Sequence, residues 1–182
     1  GGRCTGLVSL PDLYPKARVH GLILMHGPAP LATPSHLGPG DGALVRAMAA
    51  AGRAWLAERG VPPSCQRVGF HSVASMQPLH MHAMSDDLGA PGMKTKKHYL
   101  SYLPPFFVAA EDVAACLEAG RPPPYLSPDE ASVALKAPLA CQYCRVVLAS
   151  MATLKDQMAA CAVAHVRDWW VARGAAGAGA GG

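Results

Sequence analysis

Residues 79–84 read Leu-His-Met-His-Ala-Met, so apolar side chains alternate with two histidines. Such alternation is typical of a β-strand, because successive side chains of a strand point to opposite faces of the sheet. We therefore predict a strand over 79–84 that presents His80 and His82 together on one face. Its other face is expected to enter the core through the intervening residues, Leu79, Met81 and Ala83.

Two imidazoles on one strand face suit phosphoryl transfer. A neutral imidazole is a competent nucleophile when its other ring nitrogen is held as a donor, and its neighbour can bind phosphate oxygens or pass a proton. His71 lies near the end of a second predicted strand, 68–73, and hairpin pairing would bring it close to His80. Ser75 can offer a hydroxyl to the same phosphate. The pattern is also compatible with a half-exposed strand or with two metal ligands.

Hydrophobic periodicity predicts an α+β fold around this strand. Short strands are expected at 7–10 and 19–25, and residues 43–60 have the apolar spacing of a helix. Residues 85–97 are polar and rich in turns, and residues 100–108 are predicted to be extended. We expect a small antiparallel sheet that carries the histidines, with the helix packed on it.

Composition divides the chain unevenly. The chain has 19 Gly and 17 Pro, together 36 of its 182 residues or about 20%. This fraction is below the roughly 25–30% that indicates disorder throughout. We predict a first domain at 1–118, a Pro-rich linker at 119–138, a metal-binding module at 139–173 and a Gly/Ala tail at 174–182. Because the chain starts with Gly and not Met, we expect an N-terminal segment to be missing.

The cysteines are concentrated towards the C-terminus, where Cys141 and Cys144 form a Cys-x2-Cys pair. Cys161 and His165 follow one helical turn apart, on a helix predicted at 152–172. Two thiolates from a turn, together with a thiolate and an imidazole from a helix, make a closed tetrahedral set that suits Zn²⁺. The alternative is an ordinary helix and turn with a few buried cysteines.

Charge and targeting features say more about the cellular compartment of the protein than about its binding partner. The net charge of +4 fits nucleic acid or another acidic ligand without specifying one. The sequence has no recognisable secretory signal and no apolar run long enough to cross a bilayer. We therefore expect no membrane partner, and we favour a metal site in a reducing compartment over a disulfide framework.

Four segments carry a family resemblance: 14–20 (YPKARVH), 69–76 (GFHSVASM), 79–85 (LHMHAMS) and 93–99 (MKTKKHY). In order and spacing they closely resemble the aprataxins, the DNA-repair branch of the histidine triad superfamily. The resemblance covers most of residues 10–170. It implies a histidine-triad-type antiparallel sheet as the catalytic domain, a C-terminal zinc finger and a nuclear protein. The implied activity is a hydrolase that removes AMP from DNA 5′ ends left by abortive ligation.

The resemblance also implies roles for single residues. His80 would attack the AMP phosphorus and form an adenylated histidine before water releases AMP, and His82 would contact the phosphate. The family's first triad histidine falls on Pro78, so we expect His71 or another group to complete the site. Nucleotide and phosphate contacts are expected from four further residues: Ser75, Met76, Lys16 and His20.

A cationic run follows the histidine strand: Lys94, Lys96, Lys97 and His98. Such side chains can bind a phosphate backbone through contacts that do not depend on sequence. An isolated run of this kind is usually a solvated loop, but beside a phosphoryl-transfer site we predict DNA binding. The expected partner is DNA with 5′-AMP at nicks, breaks or RNA–DNA junctions, with AMP as the product, and we expect the chain to act as a monomer.

The zinc pattern departs from that of the family at one ligand. The family's first helical histidine falls on Gln157, and its next ligand falls on Cys161. A shift of one helical turn, to Cys161 and His165, restores four ligands with Cys141 and Cys144, and this is the set that we predict.

Two other functions stay open. A small-nucleotide hydrolase of the wider superfamily, acting on phosphoramidates or dinucleotides, would need neither the lysine run nor the metal module. A nucleic-acid-binding protein with a decayed site is favoured only by Pro78.

Overall fold

The computed structural model describes residues 6–28 and 30–165. Five strands form one antiparallel sheet: β1 Gly6–Pro11, β2 His20–His26, β3 Gln66–His71, β4 His80–Ser85 and β5 Phe107–Ala109. Their order across the sheet is β1-β2-β4-β3-β5, so the histidine strand β4 is central. The predicted α+β class and antiparallel sheet are confirmed.

Five helices accompany the sheet: α1 Gly42–Ala57, α2 Lys96–Ser101, α3 Ala110–Glu118, α4 Pro128–Ala134 and α5 Met151–His165. The helix predicted at 43–60 is α1, and the helix predicted at 152–172 is α5 over its described part. The rest of that prediction and the tail at 174–182 lie outside the described residues. Within the described ranges, no helix is both long and apolar enough to span a bilayer.

One face of the sheet packs against α1 and α3. Val45, Met48 and Leu56 of α1 are fully buried here. The alternating residues of the histidine strand enter the same core, which confirms the predicted facing: Leu79, Met81 and Ala83. Burial of Leu79 and Met81, worth about 1.5–3 kcal/mol each, holds the register of the central strand.

The C-terminal module packs on the opposite face, at one end of the histidine strand. Met84 of β4 and Tyr99 of α2 share a buried core with Leu154 and Met158 of α5. The hydroxyl of Tyr99 also donates to the carbonyl of Ala140, at 2.9 Å. The predicted metal module is therefore packed directly against the sheet that carries the histidines.

The segment at 100–108, predicted to be extended, is extended only at its end. It begins with the last turn of α2, which starts because the Thr95 hydroxyl accepts the backbone N–H of His98, at 3.1 Å. This local cap stabilises a short helix. The apolar composition of the segment does not predict that helix. Strand β5 begins only at Phe107.

The segment at 119–138 contains the short helix α4. Ser127 and Glu130 form a reciprocal capping box, and Pro128 occupies the first helical turn, where its missing N–H is not needed. Ala131 of this helix is buried. The segment is therefore partly structured, while the domain boundaries at 1–118, 119–138 and 139–173 stay a prediction.

Candidate active site and metal centre

Strand register brings four histidines onto one face of the sheet. His82 lies opposite Leu22 of β2 and opposite Gly69 of β3. Directly paired residues share a face, as do residues two apart along a strand. His20, two residues before Leu22, and His71, two residues after Gly69, therefore join His80 and His82.

Gly69 is required where β3 meets β5 beneath this cluster. A Cβ at this position would lie 2.2 Å from the carbonyl oxygen of Val108 and 2.7 Å from the ring of Phe107. Any larger residue would force the two strands apart. The close approach helps to place His71, which is paired with Phe107 at the end of β3.

The histidine face forms the floor of a cleft of about 660 Å³. Predicted site residues that line it are Lys16, His71, Ser75, Met76, His80, His82, Lys97 and His98. His20 lies buried beneath the cleft, behind His82. Four lining residues come from α4 and from the residue after it: Pro128, Ala131, Ser132 and Leu135.

His80 is held in one tautomer by the backbone. Its Nδ1 lies 2.9 Å from the carbonyl oxygen of Pro78, and because a carbonyl only accepts, Nδ1 must carry the proton. Nε2 then carries the lone pair that a nucleophile needs. Pro78 removes the family's first histidine side chain but keeps the carbonyl that orients His80.

A second chain of hydrogen bonds sets the tautomer of His82. The backbone N–H of Lys16 donates to Nδ1 of His20, at 3.1 Å, so the proton of neutral His20 is on Nε2. That nitrogen lies 3.0 Å from Nδ1 of His82 and donates to it. His82 therefore carries its own proton on Nε2, which is buried and has no hydrogen-bond partner among the described residues.

Burial keeps the rings of His20, His71 and His82 neutral. It lowers the pKa of His20 to about 4, although the Asp12 carboxylate, 3.6 Å from Nε2, acts in the opposite direction. Burial, followed by the neighbouring His80, lowers the pKa of His71 to about 3. Burial also lowers the pKa of His82 well below its ordinary value. The hydrogen-bonded chain from Lys16 is therefore made of neutral imidazoles at neutral pH.

Asp12, His20 and His82 also bring possible ligand atoms within 4.8 Å of one another. The nitrogens that a metal would need, Nε2 of His20 and Nδ1 of His82, are already hydrogen-bonded to each other. We therefore interpret His20 and His82 as a hydrogen-bonded pair with the Asp12 carboxylate 3.6 Å away, and not as a metal site. Asp12 is a cleft residue that the sequence pattern does not indicate, because it lies in a polar turn.

Tyr102 is a second site residue that the sequence pattern does not indicate. Its ring packs edge-on against three histidines, with centroids 4.6 Å from His71, 5.2 Å from His82 and 5.7 Å from His20. Burial raises the pKa of its phenol, so it stays protonated. Tyr102 comes from the segment predicted to be extended, where no local signal marks it.

The cationic run divides between the cleft and the segment at 119–138. Burial, followed by the positive charges of Lys16, Lys97 and Lys94, lowers the pKa of His98. Lys97 and His98 line the cleft. Lys96 differs, because its ammonium donates to the carbonyl of Lys136, at 3.2 Å.

Three of the four predicted metal ligands have described side chains, and these three lie close together. The sulfur atoms of Cys141, Cys144 and Cys161 lie within 4.8 Å of one another. Three thiols from a turn and a helix are a donor set that fits Zn²⁺. The side chain of His165 lies outside the described part of the chain, so its place in the set stays a prediction.

Comparison with known proteins agrees with this architecture. A protein-family model described as "Scavenger mRNA decapping enzyme C-term binding" matches residues 3–98. Aprataxin of Gallus gallus is 34% identical over 156 residues, which cover 83% of this chain and 47% of that protein. An aprataxin-like protein of Drosophila melanogaster is 33% identical over 164 residues, covering 88% and 23% respectively. The chain thus spans at most about half the length of these curated relatives.

A solved structure shows the same fold. The crystal structure of the aprataxin ortholog Hnt3 in complex with DNA superposes with a TM-score of 0.67 at 22% identity, covering 91% of this chain and 86% of that one. The family match extends over residues 3–98, which hold the four histidines on this face of the sheet. The chain belongs to the family of the scavenger mRNA decapping enzyme C-terminal binding domain, and within it to the aprataxin-like histidine triad proteins.

Proposed function

We propose that the protein is a hydrolase that removes AMP from adenylated 5′ ends of DNA through a covalent adenylyl-His80 intermediate. The observation that carries the proposal is the tautomer of His80, whose Nδ1–H is fixed on the Pro78 carbonyl at 2.9 Å. In its neutral form the ring therefore presents the lone pair of Nε2, in a residue that lines the cleft. This is the state in which imidazole attacks phosphorus.

The reaction has two displacements at the same phosphorus. Nε2 of His80 attacks the AMP phosphorus, an N–P bond forms, and the bond to the bridging oxygen breaks so that DNA leaves with a 5′-phosphate. Water then attacks the phosphorus and gives one proton to solvent, the N–P bond breaks with its electron pair returning to Nε2, and AMP leaves. The first leaving group is a phosphate that is stable as an anion, so it needs little help from a general acid.

The buried donors support the proposal electrostatically. Nε2–H of His82 is buried without a partner among the described residues, and it can donate to a non-bridging phosphate oxygen. Nε2 of His71 is also buried and unpartnered within the described ranges, and both rings line the cleft. Donors fixed in a site that excludes water stabilise the charge that develops on phosphate oxygens.

The rim favours a nucleic-acid substrate over a small nucleotide. Lys16, Lys97 and His98 line the cleft, and Lys94 stands close enough to lower the pKa of His98. A backbone that leaves the cleft along this rim would meet several cations. The described complex of the ortholog Hnt3 with DNA is in keeping with this. We place the protein in the nucleus, as a monomer that acts on nicks, breaks or RNA–DNA junctions.

Within the cleft, we assign nucleotide and phosphate contacts to Ser75, Met76 and Lys16, with His20 acting through His82. In the C-terminal module, we propose a structural Zn²⁺ held by Cys141, Cys144 and Cys161 together with a fourth group. The metal would fasten the turn that carries Cys141 and Cys144, the cysteine turn, to α5. Its chemistry is structural, because the sulfur cluster takes no part in the lining of the cleft.

The test is release of AMP from nicked duplex DNA that carries a 5′-AMP. We expect wild type to release AMP and His80→Ala to lose at least about a thousandfold in rate, since removal of a nucleophile costs that much. His36→Ala is the matched control, because His36 is exposed in a 3₁₀ turn, and it should retain the rate of wild type. Faster turnover of adenosine phosphoramidate than of adenylated DNA would instead favour a small-nucleotide hydrolase.

A further inference from the structure

We infer that the metal centre is a three-thiolate site in which the carboxamide of Gln157, and not His165, takes the fourth position. This inference rests on the structural metal proposed above and is independent of the reaction at His80. It assigns Gln157 as the fourth ligand in place of His165, which we predict from the sequence.

Gln157 already lies against the sulfur cluster. Its side-chain nitrogen is 3.2 Å from the sulfur of Cys161 and 3.5 Å from the sulfur of Cys144. Zinc–sulfur bonds of about 2.3 Å in a tetrahedron place neighbouring donors about 3.8 Å apart. The three sulfurs, all within 4.8 Å of one another, need to contract only slightly to reach that geometry, with the carboxamide beside them.

The carboxamide can serve either state of the site. Without a metal, its NH₂ group donates to two sulfurs. The two ends of a carboxamide have nearly the same shape and are assigned from their hydrogen bonds, so rotation about the last side-chain bond turns the oxygen towards the cluster. That oxygen is an acceptor with two lone pairs and can complete four-coordination around the metal.

Packing fixes the helix that presents Gln157. Leu154 and Met158 of α5 are buried in the core shared with the sheet, which sets the rotation of α5. Gln157 and Cys161 are one turn apart and therefore lie on one side of this helix. The position of the ligand pair is thus determined before any metal binds.

The cysteine turn is fixed as well. Residues Ala140 and Val147 form an antiparallel bridge across it. The N–H of Cys141 donates to the carbonyl of Val146, and the N–H of Arg145 donates to the carbonyl of Cys141, each at 2.9 Å. Both halves of the site are therefore preorganised.

Spacing along α5 separates the two candidates for the fourth position. Gln157 and His165 are eight residues apart, or about 12 Å along the helix axis. Cys161 lies midway, and the sulfur of Cys144 is 3.5 Å from the Gln157 nitrogen. The cysteine turn thus stands beside the helical turn that runs from Gln157 to Cys161, at the end away from His165.

The test uses the full chain, with Zn²⁺ affinity measured by chelator competition and Co²⁺ absorption as a report on the donor set. Wild type should bind one metal per chain, with a charge-transfer intensity that corresponds to three thiolates. His165→Ala should leave affinity and spectrum within about twofold. Gln157→Leu should weaken binding about tenfold or more, as loss of groups around metal sites commonly does, and should change the ligand-field bands.

Gln157→Glu separates ligation from hydrogen bonding. A carboxylate supplies an oxygen ligand but cannot donate to thiolates, so this variant should bind at least as tightly as wild type if the oxygen is the ligand. Circular dichroism of each variant checks that the fold is kept. Unchanged affinity in Gln157→Leu, or a tenfold loss in His165→Ala, would overturn the assignment of Gln157. Absence of metal binding in wild type would refute the metal proposal itself, and neither result bears on AMP release.

Discussion

At the scale of single residues, the orientation of His80 does not depend on a histidine at position 78. The acceptor for its Nδ1–H is the main-chain carbonyl of Pro78, and every amino acid supplies that oxygen. What Pro78 removes is one imidazole from the cleft, where Nε2 of His71 and Nε2 of His82 are still buried without a partner among the described residues. Under the proposed mechanism, two histidines on β4 are therefore sufficient where the family pattern has three.

His20 is a positioning residue in this scheme, since it acts through His82. His20→Ala removes the donor to Nδ1 of His82, so Nε2 of His82 is no longer fixed as an N–H. We expect kcat for AMP release to fall about a hundredfold, as it does when one donor to a developing oxyanion is lost, with little change in KM.

His20→Gln provides the conservative comparison. Its side-chain NH₂ can stand where Nε2 stands in His20, and it should restore part of kcat. Equal losses in the Ala and Gln variants, or a loss confined to KM, would show that His20 does not set the tautomer of His82.

At the scale of elements, strand β4 follows from its sequence because alternation alone identifies a strand and its buried face. The side of the cleft that α4 forms cannot be predicted in the same way. The capping box of Ser127 and Glu130 is present in the sequence, but five prolines in the same segment favour a linker. Only the packed structure shows that α4 stands beside the histidines. Tyr102 escapes prediction for a related reason, since its partners are distant in sequence.

A pair of substitutions on α4 tests whether this helix limits access to the cleft. Ser132 lines the cleft, whereas Val133 is 70% exposed and is absent from the cleft lining. We expect Ser132→Trp to raise KM for adenylated DNA at least about tenfold, because the indole occupies substrate space and this costs more than about 1.4 kcal/mol. Val133→Trp should leave KM unchanged. Equal effects of the two variants would mean that α4 is not a wall of the substrate site.

At the scale of the whole molecule, the metal module and the sheet share one core, through Met84 and Tyr99 on one side and Leu154 and Met158 on the other. The sequence indicates each half by its own motif, the histidine strand and the Cys-x2-Cys pair. It carries no local pattern for their contact, because the partners are separated by more than fifty residues. The position of Gln157 beside the sulfurs depends on the same packing.

Buried neutral histidines make the stability of the whole fold depend on pH. The folded pKa of His20 is about 4, against about 6.5 for an unperturbed histidine, so the unfolded chain binds a proton first on acidification. This contribution is present in full above pH 6.5 and is lost as the pH falls towards 4, on the order of 3 kcal/mol for His20 alone. His71, with a pKa of about 3, acts in the same direction.

Urea unfolding at pH 7.5 and at pH 4.5 measures this effect. Wild type should lose stability at the lower pH, and His20→Gln should lose less of it, since it removes one buried titrating group. A free energy of unfolding that is constant or that rises on acidification would contradict the burial of neutral imidazoles.

The most direct measurement is capture of the covalent intermediate. Wild-type protein is mixed with nicked DNA whose 5′-AMP carries a radioactive phosphorus, and the reaction is stopped within one turnover by denaturation at alkaline pH. We expect label on the protein, mapped to a peptide that contains His80, and no label on His80→Ala. Release of labelled AMP from wild type without any label on the protein would mean that water attacks the phosphorus directly, and His80 would not be the nucleophile.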